Sequence, residues 1–341
     1  MKKNIDNFNI LRCIGISLVV LRHTLVPFVS DAWPLETIYN HNQYLVIFGK
    51  YVSSFSMPLF VFISGFIFSY LRINLNKYKT TKIFIQKKIK RLIVPFVILA
   101  PIYILVFYKV ESISDFLFYL QYSPGHFWFL IMLFIIFIIF YQFEDFFKNK
   151  IKLGIIVTLS LFILYPIFAY FKVMPIANTF KYLPFFYMGY LFYYHDIIIE
   201  KHILNKKKIL LFAHLILFSA SLYFLQFNSN ESIFNKIFGF YHILPLGILA
   251  TLILYTCFAN IQKLNNAIMN NIVLNINQNS YYIYIIHQPL LIVYYNSELI
   301  SNSPYLLIIP LGFLISVIVS ILISKILNRF LLGRMLIGAT S

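Results

Sequence analysis

Long apolar runs recur along the whole chain, and short polar or charged stretches separate them. A bilayer core about 30 Å thick requires about 20 apolar residues in each spanning helix, and most of the runs approach that length. The polar, Asn-rich segment 259–279 is interpreted as a connection. We predict ten spans, at residues 9–29, 51–71, 92–108, 127–143, 153–171, 182–194, 209–226, 238–258, 280–296 and 304–324. The pattern therefore predicts an all-α, polytopic bundle of about ten transmembrane helices.

The composition supports a single membrane domain. Hydrophobic residues make up 60% of the chain and charged residues 11%, whereas soluble domains carry about 25% charged residues. No polar block is long enough for a soluble domain, so we predict one domain over residues 1–341, with none appended. Cys13 and Cys257 lie in apolar segments without a CxxC spacing, so they indicate neither a disulfide nor a zinc site. We predict no metal site.

The positive charge alternates from one connection to the next. Of the 28 Lys and Arg residues, 21 fall in connections on the side of the N-terminus and 5 on the other side. By the positive-inside rule, both termini are predicted to be cytoplasmic, in a multi-pass protein of the plasma or inner membrane. The net charge of +17 is then a basic collar that faces membrane lipid, and no nucleic-acid partner is expected.

The first predicted span carries an unusual set of ionisable residues, Arg12, Arg22 and His23, without a carboxylate beside them. Eleven residues at about 100° each return His23 to within about 20° of Arg12, roughly 16 Å further along the helix. A guanidinium suits phosphate, and a histidine suits removal of a hydroxyl proton, so the pair indicates acyl transfer. An equal alternative is that Arg12 reaches the lipid headgroups and His23 makes an interhelical contact. Arg22, about 100° from His23 on a helical wheel, is expected to extend outward to the lipid headgroups or to bind the acyl acceptor, and it ranks below Arg12.

Other polar positions lie at membrane depth or at its edge. Ser64 and Gly65 form a pair that allows close helix approach. A basic run that contains Lys88 and Arg91 precedes the third span, where topology alone is the simplest explanation. For the following residues a structural role, as an interfacial anchor or an interhelical contact, is the commoner explanation of each taken singly: His126, Trp128, Ser280, Tyr281 and His287.

Five of these segments, in this order, resemble the acyltransferase 3 family of membrane O-acyltransferases. The matching segments are Arg12 with ten intervening residues before His23, Pro58 to Phe66, Arg91 to Pro95, His126 to Trp128 with Phe-Leu after it, and Ser280 to His287. The resemblance runs from about residue 8 to the tenth span. One departure is Lys88, which stands where the family often has an arginine, so bidentate phosphate binding is lost there.

The resemblance implies transfer of an acetyl or other short acyl group from acyl-CoA to a hydroxyl of a surface glycan or its lipid-linked precursor. Acyl-CoA, most simply acetyl-CoA, would be a co-substrate, and no bound cofactor is implied. By resemblance His23 is the base, and Arg12, Arg91 and Lys88 position the donor phosphates. Residues that would line or support the cavity are Ser64, Gly65, His126, Trp128, Ser280, Tyr281 and His287.

The main alternative is a glycan or lipid exporter. A transporter is expected to show internal repeats, paired broken helices or intramembrane carboxylates. None of the 11 acidic residues lies well within a predicted span, and no repeat is evident. A purely structural scaffold would leave the shared face of Arg12 and His23 unexplained.

Overall fold

A computed structural model describes residues 8–30, 33–35, 39–121, 124–195, 203–227, 233–258, 261, 266–301, 303–330 and 333–334. Over these residues the chain is helical and contains no β-strand. The helices are α1 Asn9–Thr24, α2 Gln43–Ile73, α3 Thr81–Lys88, α4 Val94–Phe107, α5 Ile113–Gln121, α6 Trp128–Gln142, α7 Glu144–Asn149, α8 Ile151–Tyr170, α9 Met174–Tyr194, α10 Lys207–Leu222, α11 Ile233–Tyr241, α12 Ile243–Phe258, α13 Ala267–Tyr295, α14 Glu298–Ser301 and α15 Tyr305–Leu327. The prediction of an all-α fold is confirmed.

Each of the ten predicted spans overlaps one of these helices. In the described part of the chain, six helical segments are long and apolar enough to cross a membrane. They are Gln43–Ile73, Thr81–Phe107, Ile151–Tyr170, Leu204–Leu225, Phe234–Phe258 and Tyr305–Leu327, and Trp128–Gln142 is a shorter apolar helix. These findings support a multi-pass membrane protein. The count of ten spans and the cytoplasmic position of the termini stay predictions.

The interpretation of segment 259–279 as a connection was wrong over its second half, because α13 already begins at Ala267. Asn266 caps this helix, since its side-chain oxygen accepts hydrogen bonds from the backbone N–H groups of the second and third helical residues. Two further asparagines bond to other helices: Asn277 donates to Asn9, and Asn279 accepts from Ser324. The polar composition therefore reflects a capped helix with interhelical hydrogen bonds.

A close crossing of α2 and α9 forms the centre of the bundle. A Cβ atom on Gly65 would collide with the backbone carbonyl of Phe186, and one on Gly189 would collide with the carbonyl of Phe62. The two glycines therefore let the backbones approach in both directions, as small residues do in membrane bundles. The packing role predicted for Gly65 is confirmed.

The remaining central helices are arranged around α1. It packs against α2 on one side and α13 on another, and α13 packs in turn against α15. Helix α6 contacts α9 and a single π-helical turn, Ile89–Ile93, that joins α3 to α4. Helices α1, α2, α6 and α13 thus surround the region in which the predicted site residues lie.

The glycine crossing generates a stability prediction. We expect Gly189→Ala to lower the apparent melting temperature by several degrees, because overpacking of this kind costs about 1–3 kcal/mol. Differential scanning fluorimetry of the detergent-solubilised protein measures the shift. The matched control is Gly239→Ala, whose added Cβ would meet only a Leu225 side-chain carbon at 3.4 Å. Equal melting temperatures for the two variants would contradict the close crossing.

Candidate active site

A cationic cavity of about 400 Å³ lies between α1, α2, α6, α13 and the turn 89–93. None of the described residues that line it is acidic. Its cationic residues are Arg12, Lys77, Lys87, Lys88 and Arg91, and its hydroxyl groups come from Ser64, Tyr78, Ser280, Tyr281 and Tyr284. Five positive charges without a carboxylate among these wall residues favour binding of a polyanion. An anion would supply the negative charge that the wall itself does not provide.

Lys88 is the most deeply placed of these cations. Lys88 is 8% exposed, and its Nζ lies 3.2 Å from the centroid of the Phe137 ring. Tyr78 and Phe84 present further aromatic rings to the same ammonium, at 5.4 and 5.6 Å. Such cation–π contacts hold an ammonium in place when it is removed from water. The aromatic wall therefore supports the charge while leaving it available to an anion.

Arg91 is held at the opening of the cavity by Tyr281. The guanidinium carbon lies 4.9 Å from the centroid of the Tyr281 ring, and the Tyr281 hydroxyl donates a hydrogen bond to the Arg91 carbonyl. This carbonyl is open to a side chain because Pro95, four residues later, has no N–H to donate to it. Lys88 and Arg91 line the same cavity as Arg12, which agrees with the prediction that the three residues belong to one site.

Asn277, on α13, positions the Arg12 side chain. Its Nη1 lies 3.5 Å from Asn277 Oδ1, which is a long hydrogen bond. Asn277 in turn donates to Asn9, at 2.7 Å. Two serines lie nearby on the wall: Ser64, which donates to the Phe60 carbonyl at 3.0 Å, and Ser280. Gly65 does not line this cavity; it shapes it indirectly, by fixing the crossing of α2 with α9.

A second, smaller space of about 70 Å³, here called the histidine cavity, contains His23. Its lining residues are Val19, Arg22, His23, Ser56, Met57, His126, Trp128 and Tyr284. Tyr284 is 3% exposed and lines both cavities. Arg12 and His23 therefore border two different cavities, and Tyr284 contributes to the walls of both.

The hydrogen bonds fix the proton positions on two of the histidines. His287 Nδ1 lies 2.9 Å from the Ile283 carbonyl, which can only accept, so Nδ1 carries the proton. In its neutral form His287 then accepts at Nε2 from His23 Nδ1, at 2.6 Å. This tautomer, assigned from the network, leaves His23 Nε2 as the unprotonated nitrogen. His23 is thus arranged to accept a proton from a bound hydroxyl group.

His126 is oriented by the same stretch of α13. Its Nε2 lies 3.0 Å from the Ile285 carbonyl, and its Nδ1 lies 2.6 Å from the side-chain amide of Gln288. Pro289 cannot donate to the Ile285 carbonyl, so this acceptor is free for the imidazole. The backbone carbonyl of His126 also accepts a hydrogen bond from the Tyr284 hydroxyl. The proline thus provides a backbone acceptor for a side chain on another part of the chain.

Arg12 and His23 both contact α13, through Asn277 and His287, so their predicted position on one face of α1 is confirmed. The ranking of Arg22 below Arg12 stays a prediction. Helical geometry separates its Cα–Cβ direction from that of His23 by about 100°, but its long side chain reaches the histidine cavity. Trp128 lines that cavity and also stacks on Tyr182, with ring centroids 5.7 Å apart.

Several lining residues were not singled out from the sequence. Lys77 and Tyr78 precede α4 and were given no role, and Lys87 belongs to the basic run there, where charge was explained by topology. Tyr284 lay within the Ser280 to His287 segment of the resemblance but was given no role of its own. The clustering of basic residues ahead of a span was the only available signal for the lysines.

Comparison with known proteins gives one match. The sequence model of a family described as "Acyltransferase domain" matches residues 5–325, nearly the whole chain. Neither the search of curated proteins nor the search of solved structures found a match.

The cationic cavity generates a prediction about anions. We expect inorganic pyrophosphate to raise the melting temperature, because a ligand that binds the folded state stabilises it. In Lys88→Met, which keeps an unbranched stem but loses the charge, the shift should fall by about half or more, because charge-assisted contacts to phosphate are lost. Lys109→Met, an exposed site outside the cavity, is the control. The same shift in both variants would exclude Lys88 from the anion site.

Proposed function

The chain belongs to the acyltransferase 3 family of membrane acyltransferases, and we propose that it acylates a glycan. The proposed reaction moves an acetyl or other short acyl group from acyl-CoA to a hydroxyl of a surface glycan or its lipid-linked precursor. The proposed location is the plasma or inner membrane, with the donor supplied from the cytoplasm.

The donor is proposed to bind in the cationic cavity. Acyl-CoA carries phosphates, and guanidinium groups bind phosphate through two parallel hydrogen bonds. Arg12 and Arg91 supply such groups, and Lys88 supplies a point charge at the inner wall. The pantetheine arm would then extend along Phe60 and Phe129 toward Tyr284, which also borders the space around His23.

In the proposed step the acceptor hydroxyl attacks the thioester carbonyl carbon while His23 Nε2 removes the hydroxyl proton. A C–O bond forms, the C–S bond breaks, and the thiolate of CoA leaves and takes up the proton. His287 keeps the His23 ring in the required tautomer and orientation. His287 thereby takes the place beside Nδ1 of the base that a carboxylate occupies in many catalytic triads.

The adjacency of two cavities carries the proposal. The first is rich in cations and has no acid among its described wall residues, and the second contains His23 with an unprotonated Nε2. Tyr284 lines both. The first feature suits a phosphate-bearing donor, and the second suits activation of a hydroxyl. Their adjacency suits transfer between the two.

We expect His23→Ala to lower acyl transfer about 10²- to 10⁴-fold, the usual contribution of a general base. Mass analysis of surface glycans compares cells that express the wild type and the variant at matched membrane levels. His41→Ala, an exposed histidine outside both cavities, is the control. A glycan that is exported and acylated equally in the His23 variant would contradict the mechanism and favour the exporter.

Arg12 is expected to act on donor binding and not on the chemical step. In Arg12→Gln the KM for acetyl-CoA should rise about 10- to 100-fold, because charge-assisted hydrogen bonds contribute about 1.5–3 kcal/mol. The kcat should change little. Arg12→Lys should give an intermediate KM, since it keeps the charge and loses the fork. Steady-state kinetics of the purified protein measures both constants, and a fall in kcat alone would contradict this role.

A further inference from the structure

Arg22 is only partly satisfied by the protein around it. Its Nε donates to Ser53 Oγ at 2.6 Å, and the Ser53 hydroxyl donates to the Gly49 carbonyl at 2.8 Å. A lone pair on Ser53 Oγ therefore holds the Nε end of the guanidinium in place. At the other end, Nη1 is buried and finds no hydrogen-bond partner among the described residues.

This arrangement is unusual for a structural arginine. A guanidinium keeps its charge at all relevant pH values and presents five N–H donors, and a buried charge without a partner is costly. A structural role would pair the free end with a carboxylate or with carbonyl groups. Among the residues that the structure describes, no acidic side chain lines the histidine cavity, in which the Arg22 side chain lies beside His23. In this part of the chain the free end therefore lacks the partner that a structural role would supply.

The surroundings suit an acidic sugar. Trp128 lines the same cavity and brings to it an aromatic ring, the kind of surface on which the C–H face of a sugar packs. Tyr182 stacks on Trp128, and Lys181 Nζ lies 5.7 Å from the centroid of Tyr182, so a second cation lies behind this aromatic pair. The surroundings of His23 thus combine an aromatic surface with positive charge.

We propose that Arg22 binds an oxyanion, a carboxylate or a phosphate, that the acceptor carries near the hydroxyl to be acylated. The fork of the guanidinium matches either group. The enzyme would then select acidic or phosphate-bearing glycans over neutral ones. This inference rests on the proposed function for the statement that the acceptor occupies the histidine cavity, but anion binding by Arg22 can be measured without any reaction.

The test measures binding of three probes to the purified full-length chain in detergent, without acyl-CoA. D-Glucuronate supplies a carboxylate, glucose 6-phosphate a phosphate, and glucose is the neutral reference. We expect the wild type to bind one of the anionic sugars about 10-fold or more tightly than glucose, as one charge-assisted contact provides. Whichever anion binds more tightly identifies the group that the site accepts.

Two kinds of variant test whether Arg22 causes the preference for an anionic sugar over glucose. Arg22→Gln should remove this preference. Gly49→Asp tests the same point with Arg22 retained, because a Cβ on Gly49 would lie 3.9 Å from Arg22 Nη1 and meet its other neighbours at 3.7 Å or more. The new carboxylate should occupy the guanidinium and abolish the preference, whereas Gly49→Asn, of the same shape but uncharged, should retain it.

Three results would overturn the proposal: equal binding of all three probes by the wild type, an unchanged preference in Arg22→Gln, or equal loss in Gly49→Asp and Gly49→Asn. Failure of the proposed function gives a different pattern, because acyl transfer would then be absent or independent of His23 while the probe preference persisted. Size-exclusion profiles equal to that of the wild type establish that each variant is folded.

Discussion

The hydrogen bonds that α13 makes to imidazole rings determine the geometry of the site. A membrane helix normally uses all of its carbonyls within the helix, so a side chain on another helix finds few acceptors. Pro289 creates one at Ile285, and His126 bonds to it. The carbonyl of Ile283 fixes the proton of His287, which in turn fixes that of His23. Two of the three rings thus take their proton positions from one helix backbone, without a carboxylate, and the third is anchored to it.

The second constraint is electrostatic. Positive charge removed from water is costly unless a partner is present. Among the described residues, the walls of both cavities contain cationic side chains and no acidic ones. Aromatic rings offset part of this cost at Lys88 and Arg91. An anion that binds in the cavity would offset more of this cost. The folded state is therefore prearranged to bind an anion, at the expense of the stability of the unliganded protein.

The sequence predicted much of this structure, for identifiable reasons. Apolar run length places the helices because each must cover the bilayer core, and an eleven-residue spacing places Arg12 and His23 on one face because the helical repeat is fixed. The sequence did not reveal that the path between them is divided, since Tyr284 enters from α13, and contacts between distant helices have no local signature. The asparagines before residue 280 misled for a related reason: their partners lie on other helices. The reach of Arg22 into the histidine cavity had no signal in the sequence either, because a helical wheel records where a side chain starts and not how far it extends.

The position of Tyr284 between two polar cavities has a consequence for the membrane as an insulator. In a membrane protein, an open, water-filled path from one side to the other would conduct protons and small ions, and the ion gradient would run down. A buried aromatic ring borders both spaces, and its apolar surface opposes a continuous column of water at that position. Such a ring is a barrier chiefly to charge, because an ion that passes it must leave water at high cost whereas an uncharged group need not.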